Sequence, residues 1–85
     1  MNMGWQEEAI LNSKTEAMSI QELARYYLLQ RKTVRAAGLM LMLIETEPTP
    51  ENLSLLADIY MEQGLFDDAA TLYVRVVKAG LKWKP

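Results

Sequence analysis

The sequence has no cysteine and no histidine. Without cysteine there is no disulfide, no thiolate nucleophile and no thiolate metal ligand. Without histidine there is no imidazole ligand, no imidazole acid–base group and no serine–histidine pair. A metal could be held only by carboxylates, and the close pairs are Glu7/Glu8, Glu45/Glu47 and Asp67/Asp68. Asp67/Asp68 reads better as a helix cap, and Glu45 and Glu47 bracket a loop before Pro48. The few glycines (Gly4, Gly38, Gly64 and Gly80) are scattered, so no glycine-rich phosphate loop exists. The expectation is a protein that is not an enzyme, with no metal, no cofactor and no small-molecule substrate.

Long apolar runs are also missing. The longest, Leu39 to Ile44, falls far short of the roughly 20 residues that span a bilayer. Met1 to Leu11 has no basic region and no long apolar run, which argues against a signal peptide. Basic charge is in short supply as well: the net charge is −2, which argues against a nucleic-acid partner. These absences predict a soluble, cytoplasmic chain with no membrane partner.

What is present suits a small globular fold. Hydrophobic residues make up 51% and charged residues 24% of the 85, too apolar for a disordered chain and enough for one domain. A chain this short buries only about 60–65% of its unfolded surface, so its stability is marginal.

The chain repeats itself at an offset of 33 positions. Ile20, Leu23, Ala24 and Tyr27 meet Leu53, Leu56, Ala57 and Tyr60. Ala36, Ala37, Met40, Leu43 and Ile44 meet Ala69, Ala70, Tyr73, Val76 and Val77. Every matched pair is apolar, at helical spacing. Each repeat therefore reads as two helices, near 17–30 and 33–46, then 50–63 and 67–79, with a shorter helix near 5–13. Ser19 with Glu22 reads as a capping box. Thr49 before Pro50 reads as an N-cap with proline at the first helical position. Asp67 reads as the N-cap of the last helix, and Gly64 and Gly80 as left-handed C-caps.

The segment Pro50 to Gly80 resembles a tetratricopeptide repeat. Leu56 beside Ala57, Tyr60, Gly64 and Phe66 at the turn, Ala69 and Tyr73 occupy the positions of that family's pattern. Upstream, Leu23, Ala24, Tyr27, Ala36, Met40 and Pro48 match, but the turn Arg31–Lys32–Thr33 lacks the glycine and the aromatic. The resemblance implies an all-α protein, a fragment of a right-handed solenoid of antiparallel helix-turn-helix repeats. Residues 1–16 would be an N-terminal helix and linker, 17–49 the first repeat, 50–80 the second and 81–85 a tail, all within one domain of residues 1–85. The chain is also similar in size, acidity and helical layout to the small chaperones of bacterial type III secretion systems. That likeness implies a chaperone for an apolar segment of a secretion subunit.

A sister family, the pentatricopeptide repeat, binds single-stranded RNA at about one base per repeat. The ending Lys78 to Pro85 resembles that family's repeat end. Its reading positions would be Ser54 and Lys84, and upstream Gln21 and Pro50 or Glu51. Lys84 departs from the Asp or Asn usual there, and the acidic balance is wrong for RNA.

Helix-pair repeats stack on their neighbours, and three or more usually build a continuous core. Two repeats leave open ends, with Trp5, Ile10 and Leu11 at one and Leu81 and Trp83 at the other. Either these residues cap a small bundle, or a partner protein or a second copy covers them. The groove between first helices should present Gln21, Arg25 and Leu28, then Ser54, Asp58 and Met61. Leu28 and Met61 either widen the core or receive an apolar helix of a partner. Charge is banded: basic over 25–35, acidic over 45–68, basic over 75–84. The bands read either as solvated faces that also complement the helix dipoles, or as charges that pair between neighbouring copies or steer a charged partner.

Overall fold

A computed structural model describes residues 18–82. They form four helices: α1 (Ile20–Leu29), α2 (Thr33–Thr46), α3 (Pro50–Glu62) and α4 (Phe66–Lys82). No strand occurs among the described residues. α1 packs on α2, α2 on α3 and α3 on α4. The result is two helical hairpins stacked through α2 and α3, an all-α arrangement of the tetratricopeptide type.

Local chemistry sets the helix starts. The Ser19 hydroxyl oxygen accepts from the Glu22 N–H at 3.1 Å and caps α1. The Glu22 carboxylate accepts in turn from the Ser19 hydroxyl at 3.1 Å, rather than from the Ser19 N–H of a full capping box. Thr49 accepts from the Asn52 N–H at 3.2 Å, with Pro50 as the first helical residue of α3. α2 has no side-chain cap, and its place is set by burial of Ala36, Ala37 and Met40.

Both hairpins turn the same way. Lys32 N–H bonds Tyr27 C=O at 2.9 Å and Arg31 N–H bonds Leu28 C=O at 3.0 Å. One repeat on, Leu65 N–H bonds Tyr60 C=O at 2.9 Å and Gly64 N–H bonds Met61 C=O at 3.1 Å. This is the Schellman pattern twice, with Arg31 (φ 64°) and Gly64 (φ 76°) at its left-handed position. The first turn thus reaches the glycine geometry without glycine.

The core holds Ala24, Ala36, Ala37, Met40, Leu53, Leu55, Leu56, Ala57, Ile59 and Leu72. Ala24, Ala57, Ala36 and Ala69 are fully buried and let the helices of each hairpin approach closely. Asn52 is the buried polar residue among those described. Its Nδ2 donates to Glu47 C=O at 2.9 Å, and its Oδ1 accepts from Gln21 Nε2 at 2.9 Å. One amide thereby ties α1, the α2–α3 loop and α3 together, and no buried polar side-chain atom is left unpaired among the described residues.

Several expectations need correction. α4 starts at Phe66, so Asp67 lies in its first turn and is not the N-cap. α4 also runs through Gly80 to Lys82, and Gly64 is the described glycine with positive φ, so Gly80 is not a C-cap. A mid-helix glycine costs only about 1 kcal/mol, which packing overrides. Leu81 and Lys82 consequently belong to α4 rather than to a tail. Ile20 is exposed although its counterpart Leu53 is buried, because in the described residues nothing precedes the first hairpin as that hairpin precedes the second. Trp5, Ile10, Leu11, Trp83, Lys84 and the helix expected near 5–13 lie outside the described residues.

Candidate functional site

The repeat allows each position to be compared with itself 33 residues on. α2 is buried along two faces. Ala36 with half-buried Leu39 and Leu43 faces the hairpin core, while Ala37, Met40 and half-buried Ile44 and Thr33 lie on the neighbouring stripe. Helical spacing turns that second stripe towards α3, which packs against α2, and Gln63 Nε2 reaches Thr33 Oγ1 at 3.5 Å.

α4 has the same two stripes but buries only one. Ala69 and Leu72 are buried with Val76 and Ala79 half-buried. The other stripe stands open. Ala37 is 6% exposed and Met40 0%, whereas Ala70 is exposed and Tyr73 is 37% exposed. Ile44 is half-buried, whereas Val77 is 63% exposed. Phe66 and Leu81 extend the open stripe to both ends of α4, and Val74 borders it. On α3, Met61 joins it: its counterpart Leu28 packs against the core, while Met61 is 45% exposed. The difference is one of neighbours. The first hairpin is followed by a second, and among the described residues the second is followed by nothing.

The expected groove residues divide accordingly. Gln21 and Leu28 are half-buried at the junction of the hairpins, Gln21 bonded to Asn52. Arg25 is exposed. Ser54 is half-buried, and Asp58 and Met61 are exposed on α3. Asp58 accepts a hydrogen bond from the Tyr73 hydroxyl at 2.7 Å, which joins the α3 and α4 sides of the open face. That bond, then slight desolvation and the nearby carboxylate charge, raises the Tyr73 pKa above its ordinary value. Leu81 lies at the end of the stripe. Phe66, Ala70, Tyr73 and Val77 were not among the expected binding residues, because periodicity alone makes them core, as their counterparts are.

Charge frames the face. Asp67 and Asp68 sit in the first turn of α4, and Arg75, Lys78 and Lys82 follow towards its other end. This order complements the helix dipole. In the first basic band Lys32 and Arg35 lie over the Tyr27 ring, 5.9 and 5.8 Å from its centre. Arg31 meets Glu62 at 3.6 Å in an exposed pair. Such pairs contribute little to stability. Among the described residues no three Asp or Glu side chains gather as a metal would need. No helix among them is long and apolar enough to cross a membrane.

Residues 53–84 match the family model for the tetratricopeptide repeat. The match starts inside α3 and runs through α4. No curated protein and no solved structure matches the chain. Fold and match together support a tetratricopeptide-like helical-repeat arrangement, and repeats of that family generally serve as non-enzymatic scaffolds for protein partners.

Proposed function

We propose that this chain is a protein-interaction module that receives an apolar helix of a partner protein on the open face of α3 and α4. The observation that carries the reading is the contrast between Ala37, Met40 and Ile44, covered by α3, and Ala70, Tyr73 and Val77, left exposed. The covered stripe supports this reading, since it already receives a helix lying along it with uncharged residues inward, as Asn52, Leu55 and Ile59 are in α3. Ser54, Asp58 and Met61 supply the α3 side of the receiving face, and Leu81 its far end. Gln21 and Leu28 brace the hairpin that presents it, and Arg25 stays free to meet an acidic flank of the partner.

A chaperone role follows from the same face, since a module that covers an exposed apolar helix keeps it from aggregating. Size, acidity and helical layout are all that the chain shares with type III secretion chaperones, and none of these selects a secretion partner.

The test is a photo-crosslinking residue placed at Val77 or, as a control, at Arg35, in the source cell. Partner segments captured from Val77 are then made as peptides and titrated by fluorescence anisotropy. Val77→Asp should weaken binding by about 30-fold, the loss typical of a central contact. Capture from Arg35 in place of Val77, or wild-type affinity in Val77→Asp, would overturn the reading.

A further inference from the structure

We infer that the open stripe of α4 also pairs with itself, two copies of the chain joining antiparallel about a two-fold axis near Tyr73 and Val74. The inference rests on the same face being a docking surface, and names a second copy as its occupant when no other partner is bound.

The first support is the shape of the stripe. α4 has 17 residues, so it is about 25 Å long. Phe66, Ala70, Tyr73, Val77 and Leu81 recur every three or four residues along it, all exposed. A two-fold contact must be complementary to itself, since each residue meets what its own copy presents. Set antiparallel about its middle, the stripe places Phe66 against Leu81 of the copy and Ala70 against Val77 of the copy, with the two Tyr73 rings beside the axis. The small Ala70 thus faces a branched side chain, and the large end residues face each other. The Tyr73 hydroxyl is already bonded to Asp58 at 2.7 Å, so the ring enters the contact without an unpaired polar group.

The second support is charge. Asp67 and Lys78 are eleven residues apart, about three turns, and so share one flank of the stripe. Antiparallel pairing about the same middle sets Asp67 of each copy level with Gly80 of the other and two residues, about 3 Å along the axis, from Lys78, within reach of the long lysine side chain. The two-fold axis makes the two pairs form together, whereas a parallel pairing would carry the two copies of this flank to opposite sides of the contact and form neither pair.

Head-to-tail stacking is the other way for copies to associate, and the residues oppose it. It would put α1 of one copy where α3 sits in the internal interface. The inward residues of α3 there are Asn52, Leu55 and Ile59, all buried. Their counterparts on α1 are Ser19, Glu22 and Tyr26. Glu22 is exposed and paired with Ser19, and stacking would bury its carboxylate in place of Leu55.

The experiment is sedimentation equilibrium of the full chain over a dilution series, with circular dichroism to confirm that each variant is folded. The wild type should be a dimer that dissociates on dilution. Asp67→Lys and Lys78→Glu should each raise the dissociation constant about ten-fold, since each disturbs both symmetric pairs. The double variant should restore it, and Val77→Asp should leave a folded monomer. A wild-type monomer at every concentration would overturn self-pairing yet leave the crosslinking test of a partner helix standing. A dimer insensitive to Val77→Asp, or a double variant no tighter than the single ones, would overturn the interface and its antiparallel register.

Discussion

Arg31 adopts in the first hairpin the left-handed conformation that Gly64 adopts 33 residues later, at φ 64° and 76°. Both close the same pair of backbone hydrogen bonds. A side chain at this backbone angle costs about 1 kcal/mol, while glycine has no such cost. Arg31→Gly should therefore raise stability by up to about 1 kcal/mol, since the exposed contact with Glu62 that it gives up contributes little. Gly64→Ala should lower it by about 1 kcal/mol, from backbone strain alone, because a Cβ there meets no atom within 4 Å. Urea unfolding of the two variants checks both signs, and a destabilised Arg31→Gly would refute the account.

That turn shows where sequence and structure part. The helices were legible because the apolar spacing, the Ala24/Ala57 and Tyr27/Tyr60 identities and the caps at Ser19 and Thr49 all agree. The first turn looks deficient because glycine is the usual residue there, yet the two backbone hydrogen bonds that close the turn hold Arg31 in the left-handed conformation. Asp67 and Gly80 were misread for a related reason: cap residues are also tolerated inside a helix at modest cost. The open face was hidden more deeply. Phe66, Ala70, Tyr73 and Val77 carry the same pattern as their covered counterparts, and no local pattern states whether a neighbour is present.

Asn52 joins three segments through one side chain, bonded to Glu47 C=O and Gln21 Nε2. Asn52→Ala removes both bonds at once and leaves half-buried Gln21 and the Glu47 carbonyl without their partner, and should cost about 1–3 kcal/mol. Gln21→Ala removes one of the two bonds and leaves the Asn52–Glu47 bond in place, so it should cost less. Chemical denaturation of both variants gives the order, and a larger loss for Gln21→Ala would contradict the arrangement.

The Tyr73–Asp58 bond makes a pH prediction. Asp58 accepts a hydrogen bond from the phenol O–H and thereby favours the neutral form of Tyr73, so the folded pKa lies above the unfolded one. The stabilisation is then full below the ordinary tyrosine pKa of about 10 and is lost as pH rises through the higher folded value. Ultraviolet titration should show one tyrosine ionising later than it does in unfolded chain. Asp58→Asn should bring that transition down, and Tyr73→Phe should remove it. A late transition that survives in Tyr73→Phe would assign it elsewhere.

Ala37 and Ala70 put the central contrast to its sharpest test, because the two residues are identical and one repeat apart. Ala37 is buried beneath the second hairpin, so Ala37→Glu forces a carboxylate into an apolar contact and should cost several kcal/mol or prevent folding. Ala70 is exposed, so Ala70→Glu in dilute protein should change stability by no more than about 0.5 kcal/mol. At high concentration the outcome should differ. If a second copy covers Ala70, the wild type gains melting temperature with concentration and Ala70→Glu does not, since association stabilises only the form that binds. Thermal melts of both variants over a hundred-fold concentration range separate the cases. A large loss in Ala70→Glu even at the lowest concentration would mean that the face is covered within a single chain, and the docking surface would have to be sought elsewhere.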